Sequence, residues 1–156
     1  MSTSSQQGFL EIPARATKCI NKLNSIYPLL SFSYIVEPSS RFGEWVRNLP
    51  SSITFPLDLH PKYNHQIIKY DFLKWYPPKK FNPVFNSLII GTPPTSKIIE
   101  FFAHASTFAG VIAFLLPLHF NTTSVKQKLP HFCLTYNEKL DNHYQFQIWT
   151  RGIYHH

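Results

Sequence analysis

An α/β layered sheet, mostly parallel, with a terminal antiparallel strand and helices on both faces, is the fold class this sequence predicts. Three observations carry the prediction. Short apolar runs such as Leu88-Ile89-Ile90 and Val111 to Leu116 have the length and composition of strands buried on both faces. Segments of helical periodicity, Ala14 to Ile26 and Ile98 to Ser106, precede such runs, which is the succession of a parallel sheet with crossover helices. Finally, Phe132 to Tyr136 and Tyr144 to Trp149 flank a polar stretch, Asn137 to His143, that reads as a hairpin connection closing an antiparallel pair.

The totals bound the class. A length of 156 residues is one domain's worth, expected over 9–151, with a flexible start at 1–8 and a tail at 152–156. Hydrophobic residues at 44% and aromatics at 16% argue against disorder, and no apolar run approaches a membrane span, so no membrane partner is expected. Fifteen Lys and Arg against eight Asp and Glu leave a net charge of +7, which suits polyanionic partners and simple solubility equally well. Cys19 and Cys133 lack zinc or redox spacing and read as reduced thiols. Met1 to Gln7 has no basic and apolar signal pattern, so a cytoplasmic location is the expectation, with a nuclear or viral one as the alternatives.

In chain order, Gly8 to Pro13 reads as extended, and Pro13 suits the first turn of a helix. Ala16, Cys19, Ile20, Leu23 and Ile26 then form an apolar stripe, with Arg15, Lys18, Asn21 and Lys22 for the wet face. Pro28 ends that helix. Ser31 to Glu37 is the first strand candidate, running into the loop Glu37-Pro38-Ser39-Ser40-Arg41-Phe42-Gly43 and a short helix from Glu44 to Leu49. A strand, a tight loop and a helix make half of a βαβ unit, whose loop amides and helix N-terminus face a nucleotide-type ligand. Ile53 to Leu59 places Asp58 at the next strand end, about 20 residues after the loop, where such folds anchor ribose hydroxyls.

Ile67 to Phe72 reads as a third strand ending in Tyr70-Asp71-Phe72-Leu73, and Trp75 to Pro83 as a basic, proline-rich loop. The fourth strand runs into Gly91-Thr92-Pro93-Pro94-Thr95. Gly91 permits a sharp exit, and the two prolines fix φ and push Thr92 out of the helical region. A stiffly held polar side chain at a strand's carboxyl end is a site candidate, against the plainer reading of a proline turn. Ser96 is expected to cap the next helix, which buries Ile98, Ile99, Phe102, Ala105 and Ser106, and Gly110 stops it before Val111 to Leu116. Asn121 to Leu129 is a short polar helix or loop.

Taken in this order, the landmarks resemble the Rossmann-like S-adenosylmethionine-dependent methyltransferases of the adenine-N(6) type, over roughly Phe9 to Arg151. Phe9 to Pro13 is similar to the family's opening motif, and Glu37-Pro38-Ser39 to its Glu-Pro-Ser-x-Gly-x-Gly cofactor loop, with Gly43 on the second glycine. Asp58 matches the ribose acid, Asp71-Phe72-Leu73 the acidic strand end beside the adenine, and Thr92-Pro93-Pro94 the catalytic Asn-Pro-Pro loop. The late strands, with Ala113 to Pro117 and Phe146 to Trp149, look alike too.

The resemblance implies S-adenosylmethionine as cofactor, held by Pro13, Glu37, Pro38, Ser39, Gly43, Asp58, Asp71 and Phe72. It implies methylation of an amino group, adenine in DNA or RNA, with Thr92, Pro93, Pro94 and Thr95 positioning the target. Nucleic acid is the expected partner. Because the chain ends soon after Trp149, target recognition is expected from small loops or from a protein partner.

Three positions depart from the family's pattern. Thr92 stands where Asn is usual, although its hydroxyl is an acceptor. Thr95 replaces the aromatic that stacks on the target base, with Phe101, Phe102 and Phe120 as candidates to take its place. Arg41 stands where the loop's first glycine is usual, either obstructing the methionine end, pointing outward to phosphate, or serving as a solvated loop charge. The alternative function is therefore an inactive methyltransferase-fold scaffold or binding subunit; methylation of a protein glutamine amide is a third.

Eight histidines show no compact ligand spacing, so His60, His65, His104 and His119 read as surface or core residues and no metal site is expected. Trp75, Lys79, Lys80 and Phe81 could hold nucleic acid, with plain loop anchoring by Trp75 the equal alternative. Ser39 and Ser40 do not form a hydrolase elbow.

Overall fold

The computed structural model describes residues 12–62, 66–81 and 85–152. The expectations for Phe9 to Glu11, His65, Pro83 and the two chain ends lie outside these. Seven strands form one sheet in the order β3-β2-β1-β4-β5-β7-β6. They are β1 (Tyr34–Glu37), β2 (Thr54–Asp58), β3 (Ile68–Lys69), β4 (Ser87–Gly91), β5 (Val111–Pro117), β6 (Phe132–Lys139) and β7 (Tyr144–Arg151). β1 lies parallel to both β2 and β4, and β4 to β5, whereas β7 runs antiparallel to β5 and β6. The Rossmann-like layered sheet expected from the sequence is thus the fold.

Residues alternate between two cores on opposite faces of the sheet. On one face Val36, Ile89, Ile112 and Phe114 pack with Phe102 and Ala105 of helix α2 (Ile98–Ala105) and with Val125 of α3 (Thr123–Lys126). On the other, Ile35, Leu88, Ile90, Ala113 and Ile148 pack with Ala16, Cys19, Ile20 and Leu23 of α1 (Ile12–Ile26). Both faces being covered explains why β1, β4 and most of β5 read as unbroken apolar runs.

Several local expectations need correction. Pro13 falls in the first turn of α1 as expected, but the helix already begins at Ile12, inside the segment expected to be extended. Ile26 is exposed, and Arg15 leaves the wet face to pair with Asp141 at 3.3 Å and cover the Tyr144 ring at 4.4 Å. Ser31 belongs to a 3₁₀ turn before β1, and Glu44 to Leu49 contains only the 3₁₀ turn Val46–Asn48, so no α-helix follows the loop directly. β3 is shorter than expected because Asp71 accepts the Leu73 amide at 3.0 Å, starting a 3₁₀ turn that drops Phe72 into the core. Ser96 does not cap α2; it lies within the preceding 3₁₀ turn, and Lys97 holds the cap position without a side-chain bond. Trp75 is buried, and its carbonyl meets His104 Nε2 at 2.7 Å, the anchoring role.

Candidate functional site

β1 and β4 are neighbours, yet the chain leaves β1 towards β2 and β3 and returns to β4 from the other side. Their carboxyl ends are a topological switch point, where the diverging loops leave a crevice. Glu37 ends β1 there. Its side chain is fully buried, and neither carboxyl oxygen makes a hydrogen bond of good geometry. Burial pushes its pKa up to about 8; the Ser40 hydroxyl and the Val46 amide nearby pull the other way, and the charges of Glu44 and Asp58 add to the rise. Space for it comes from Gly91 on β4, where a Cβ would stand 3.3 Å from Glu37 Cγ and φ is +151°.

The loop after Glu37 is held at several points. The Ser40 amide donates to the Leu57 carbonyl at 2.7 Å, and the Gly43 amide to the Ser40 carbonyl at 2.7 Å. Asp58 accepts the Arg41 amide on one oxygen at 2.7 Å and the His60 amide on the other at 2.8 Å. Its carboxylate therefore ties the loop after β1 to the loop after β2. Arg41 and Gly43 both have positive φ, +43° and +80°. The backbone thus keeps a glycine-like bend at Arg41, in the region that L side chains disfavour by about 1–2 kcal/mol.

Two cavities open along this edge. One, about 390 Å³, is walled by Pro38, Ser39, Asp58, Asp71, Phe72 and Phe101, with Arg41, Lys62 and Lys97 also contributing. The other, about 400 Å³, is walled by Thr92, Pro93, Pro94 and Thr95, with Phe42, Glu44 and Trp45 facing them and Arg15 and Tyr144 contributing. Ser39, Arg41, Pro94 and Ser96 border both.

The fold therefore gathers most of the residues singled out from the sequence. Pro38, Ser39, Asp58, Asp71 and Phe72 share the first cavity, and Thr92 to Thr95 the second. Glu37, buried at the end of β1, and Gly43, within the loop, line neither cavity. For Pro13 only the backbone position, at the start of α1, is described.

None of the proposed aromatic replacements for Thr95 reaches the second cavity. Phe101 lines the first, Phe102 is sealed in the core against Phe114, and Phe120 packs on that core. Phe42 is the phenylalanine that does.

Sequence reasoning missed Trp45, whose indole Nε1 donates to Thr92 Oγ1 at 3.1 Å. It also missed Glu44, whose Oε2 is buried without a partner. Their position directly after the loop's last glycine was the available signal. Arg15 and Tyr144 come from the chain's two ends and carried none. Among the described residues no group of three or more His, Cys, Asp or Glu could hold a metal ion.

No family model matches this sequence, and no curated protein does. Solved structures do resemble it in shape. The N-methyltransferase NodS from Bradyrhizobium japonicum WM9 superposes with a TM-score of 0.63 at 11% identity, covering 88% of this chain and 94% of that one. The PH0226 protein from Pyrococcus horikoshii OT3 gives 0.65 at 11%, covering 97% and 96%. A SAM-dependent methyltransferase from Leishmania major gives 0.63 at 10%, covering 96% and 77%. With its strand order, reversed β7 and switch-point crevice, this chain has the fold of the Rossmann-like methyltransferases.

Proposed function

We propose that the chain binds S-adenosylmethionine along the first cavity and methylates an amino group, adenine in DNA or RNA, presented in the second. The observation that carries the reading is the pair of adjoining cavities at the switch point, with the buried Glu37 at the root of the loop between them. A buried carboxyl without a partner costs stability unless a proton or a cation satisfies it, and the α-ammonium of a methionine moiety is such a cation. The walls of the first cavity suit a nucleoside: Asp58 and Asp71 keep lone pairs for hydroxyl and amino donors, and Phe72 and Phe101 offer apolar faces. When bound, the cofactor supplies an electrophilic methyl on a sulfonium.

The chain's own residues would orient the nucleophile. An exocyclic amine is poorly nucleophilic because its lone pair is delocalised into the ring, so alignment is the main contribution available. Thr92 Oγ1 accepts the Trp45 N–H, which fixes its rotamer and leaves a lone pair for the amine. Pro93 and Pro94 stiffen that position. Arg41, bordering both cavities, favours a second reading: an obstructed, catalytically silent relative that serves as a binding scaffold.

Calorimetric titration with S-adenosylhomocysteine, which keeps the ammonium and the nucleoside, separates the two. Saturable binding is expected, weakened about tenfold to a hundredfold by Glu37→Gln as a buried charge-assisted contact is lost. Absence of binding at millimolar ligand would leave the scaffold reading standing.

A further inference from the structure

Between α1 and the β6–β7 hairpin lies a third cavity, about 380 Å³, that shares no residue with the two at the switch point. Its size is that of a small-molecule site. At depth the lining is apolar: Cys19 and Phe146 are buried, and Leu140 is half-buried beside them. Burial pushes the Cys19 thiol up to about 12, so that group stays neutral and repels no anion.

The mouth is cationic. Lys18 and Lys22, one helical turn apart on α1, and Lys139 from the hairpin are exposed and line the same cavity. Like charges at that helical spacing repel, and acids nearby would ordinarily answer them. α1 has none. The hairpin has two, and both are committed: Glu138 Oε2 accepts the Tyr136 hydroxyl at 2.8 Å, and Asp141 holds Arg15 and the His143 and Tyr144 amides. Among the described residues no carboxylate pairs with any of the three lysines, and the cavity lining is left with two net positive charges. Lys22 is also held in place. Its Nζ lies 4.9 Å from the Tyr136 ring centroid, and that ring is fixed at its hydroxyl by Glu138 and packs edge to face on Phe146 at 6.3 Å.

We propose that this cavity is a second ligand site, for a small phosphomonoester with a compact apolar body. The phosphate, close to two negative charges near neutral pH, sits among the three ammonium groups, and the body lies against Leu140 and Phe146. Inorganic phosphate would use only the mouth, and a neutral apolar molecule only the depth. A polyanionic strand fits poorly, because the lysines meet at one cavity from two elements instead of following one another along a surface. Occupied, the site ties α1 to the hairpin, the two elements that also carry Arg15 and Tyr144 to the second cavity.

Titration of the full chain with phenyl phosphate, inorganic phosphate and benzyl alcohol, followed by amide chemical shifts, tests this. Phenyl phosphate is expected to bind saturably, with shifts centred on Lys18 to Ser25 and Tyr136 to Leu140. Inorganic phosphate should bind the same amides about tenfold more weakly, and benzyl alcohol more weakly than phenyl phosphate by at least as much. Lys22→Gln and Lys139→Gln should each weaken phenyl phosphate about twofold to fivefold, whereas Leu140→Asn should weaken phenyl phosphate and leave inorganic phosphate unchanged. Thermal unfolding checks each variant, and where Leu140→Asn does not fold, the ratio of the two phosphates on wild type carries the same point. Equal affinity for the two phosphates, binding untouched by both lysine variants, or no saturation at tens of millimolar ligand overturns the proposal. So do shifts centred on Arg41, Lys62 and Lys97, which would assign the phosphate to the first cavity. A chain that ignores phenyl phosphate yet binds a phosphate-rich strand through the same lysines overturns it as well, in favour of a polyanion surface.

Discussion

Glu37 shows how much one side chain carries. Its ordinary pKa is 4.5, and burial in the folded chain pushes it up to about 8. Between those values the folded state keeps a proton that the unfolded state has released, so stability falls as pH rises through the window and levels off above it. Urea unfolding at roughly pH 5 and pH 9 is expected to show this as a loss of a few kcal/mol, which Glu37→Gln removes. A variant that keeps the slope would place the titration elsewhere. The same residue was legible in the sequence as a motif acid at a strand end. Its orphaned state was not, because that depends on Gly91, distant in sequence, leaving room for it.

Arg41 tells the converse. The sequence shows a departure from glycine, and only the fold shows that the glycine-like φ persists. Replacing it by glycine is expected to raise stability by about 0.5–1 kcal/mol, read as a shift of the urea midpoint at unchanged slope, since the bend no longer forces a side chain into the left-handed region. Unchanged or reduced stability would mean that the side chain's own contacts outweigh the strain.

At the scale of elements, β4 and β5 were the most legible, because strands buried on both faces leave a continuous apolar signature. The connection between β1 and β2 was misread. Glu44 to Leu49 has helical composition but only six residues before Pro50, too few to repay nucleation, and it settles as a 3₁₀ turn. β3 sits at the sheet's edge with one neighbour, so capping by Asp71 competes successfully with pairing.

Gly110 matters more than its expected role as a helix stop. A Cβ there would lie 2.0 Å from the Phe85 carbonyl oxygen, because the chain entering β5 runs against the start of β4. Gly110→Ala must move backbone, and a loss of about 1–3 kcal/mol or more is expected in chemical unfolding.

The whole molecule is closed by contacts between its two ends. Arg15 of α1 reaches Asp141 in the β6–β7 hairpin and covers Tyr144, and both Arg15 and Tyr144 wall the second cavity. Asp141 also accepts the His143 and Tyr144 amides, at 2.8 and 2.9 Å, so the same carboxylate shapes the hairpin. A double-mutant cycle of Arg15→Met with Asp141→Asn is expected to give a coupling of about 1–3 kcal/mol, consistent with a largely buried pair. Additive effects would reduce the contact to shape alone.

By itself the sequence determined the α/β class, the strands at β1, β2, β4, β5, β6 and β7, and the segments from which both cavities are built. Those properties are written in local patterns: apolar runs, helical stripes, glycine and proline at strand ends. Tertiary structure alone decided that Asp58 binds the loop as well as lining the cavity, that Trp45 holds Thr92, and that Phe42 rather than Phe101, Phe102 or Phe120 lines the cavity with the Thr92 loop. Each of these joins residues far apart along the chain or depends on which way one side chain turns, and a periodic pattern encodes neither.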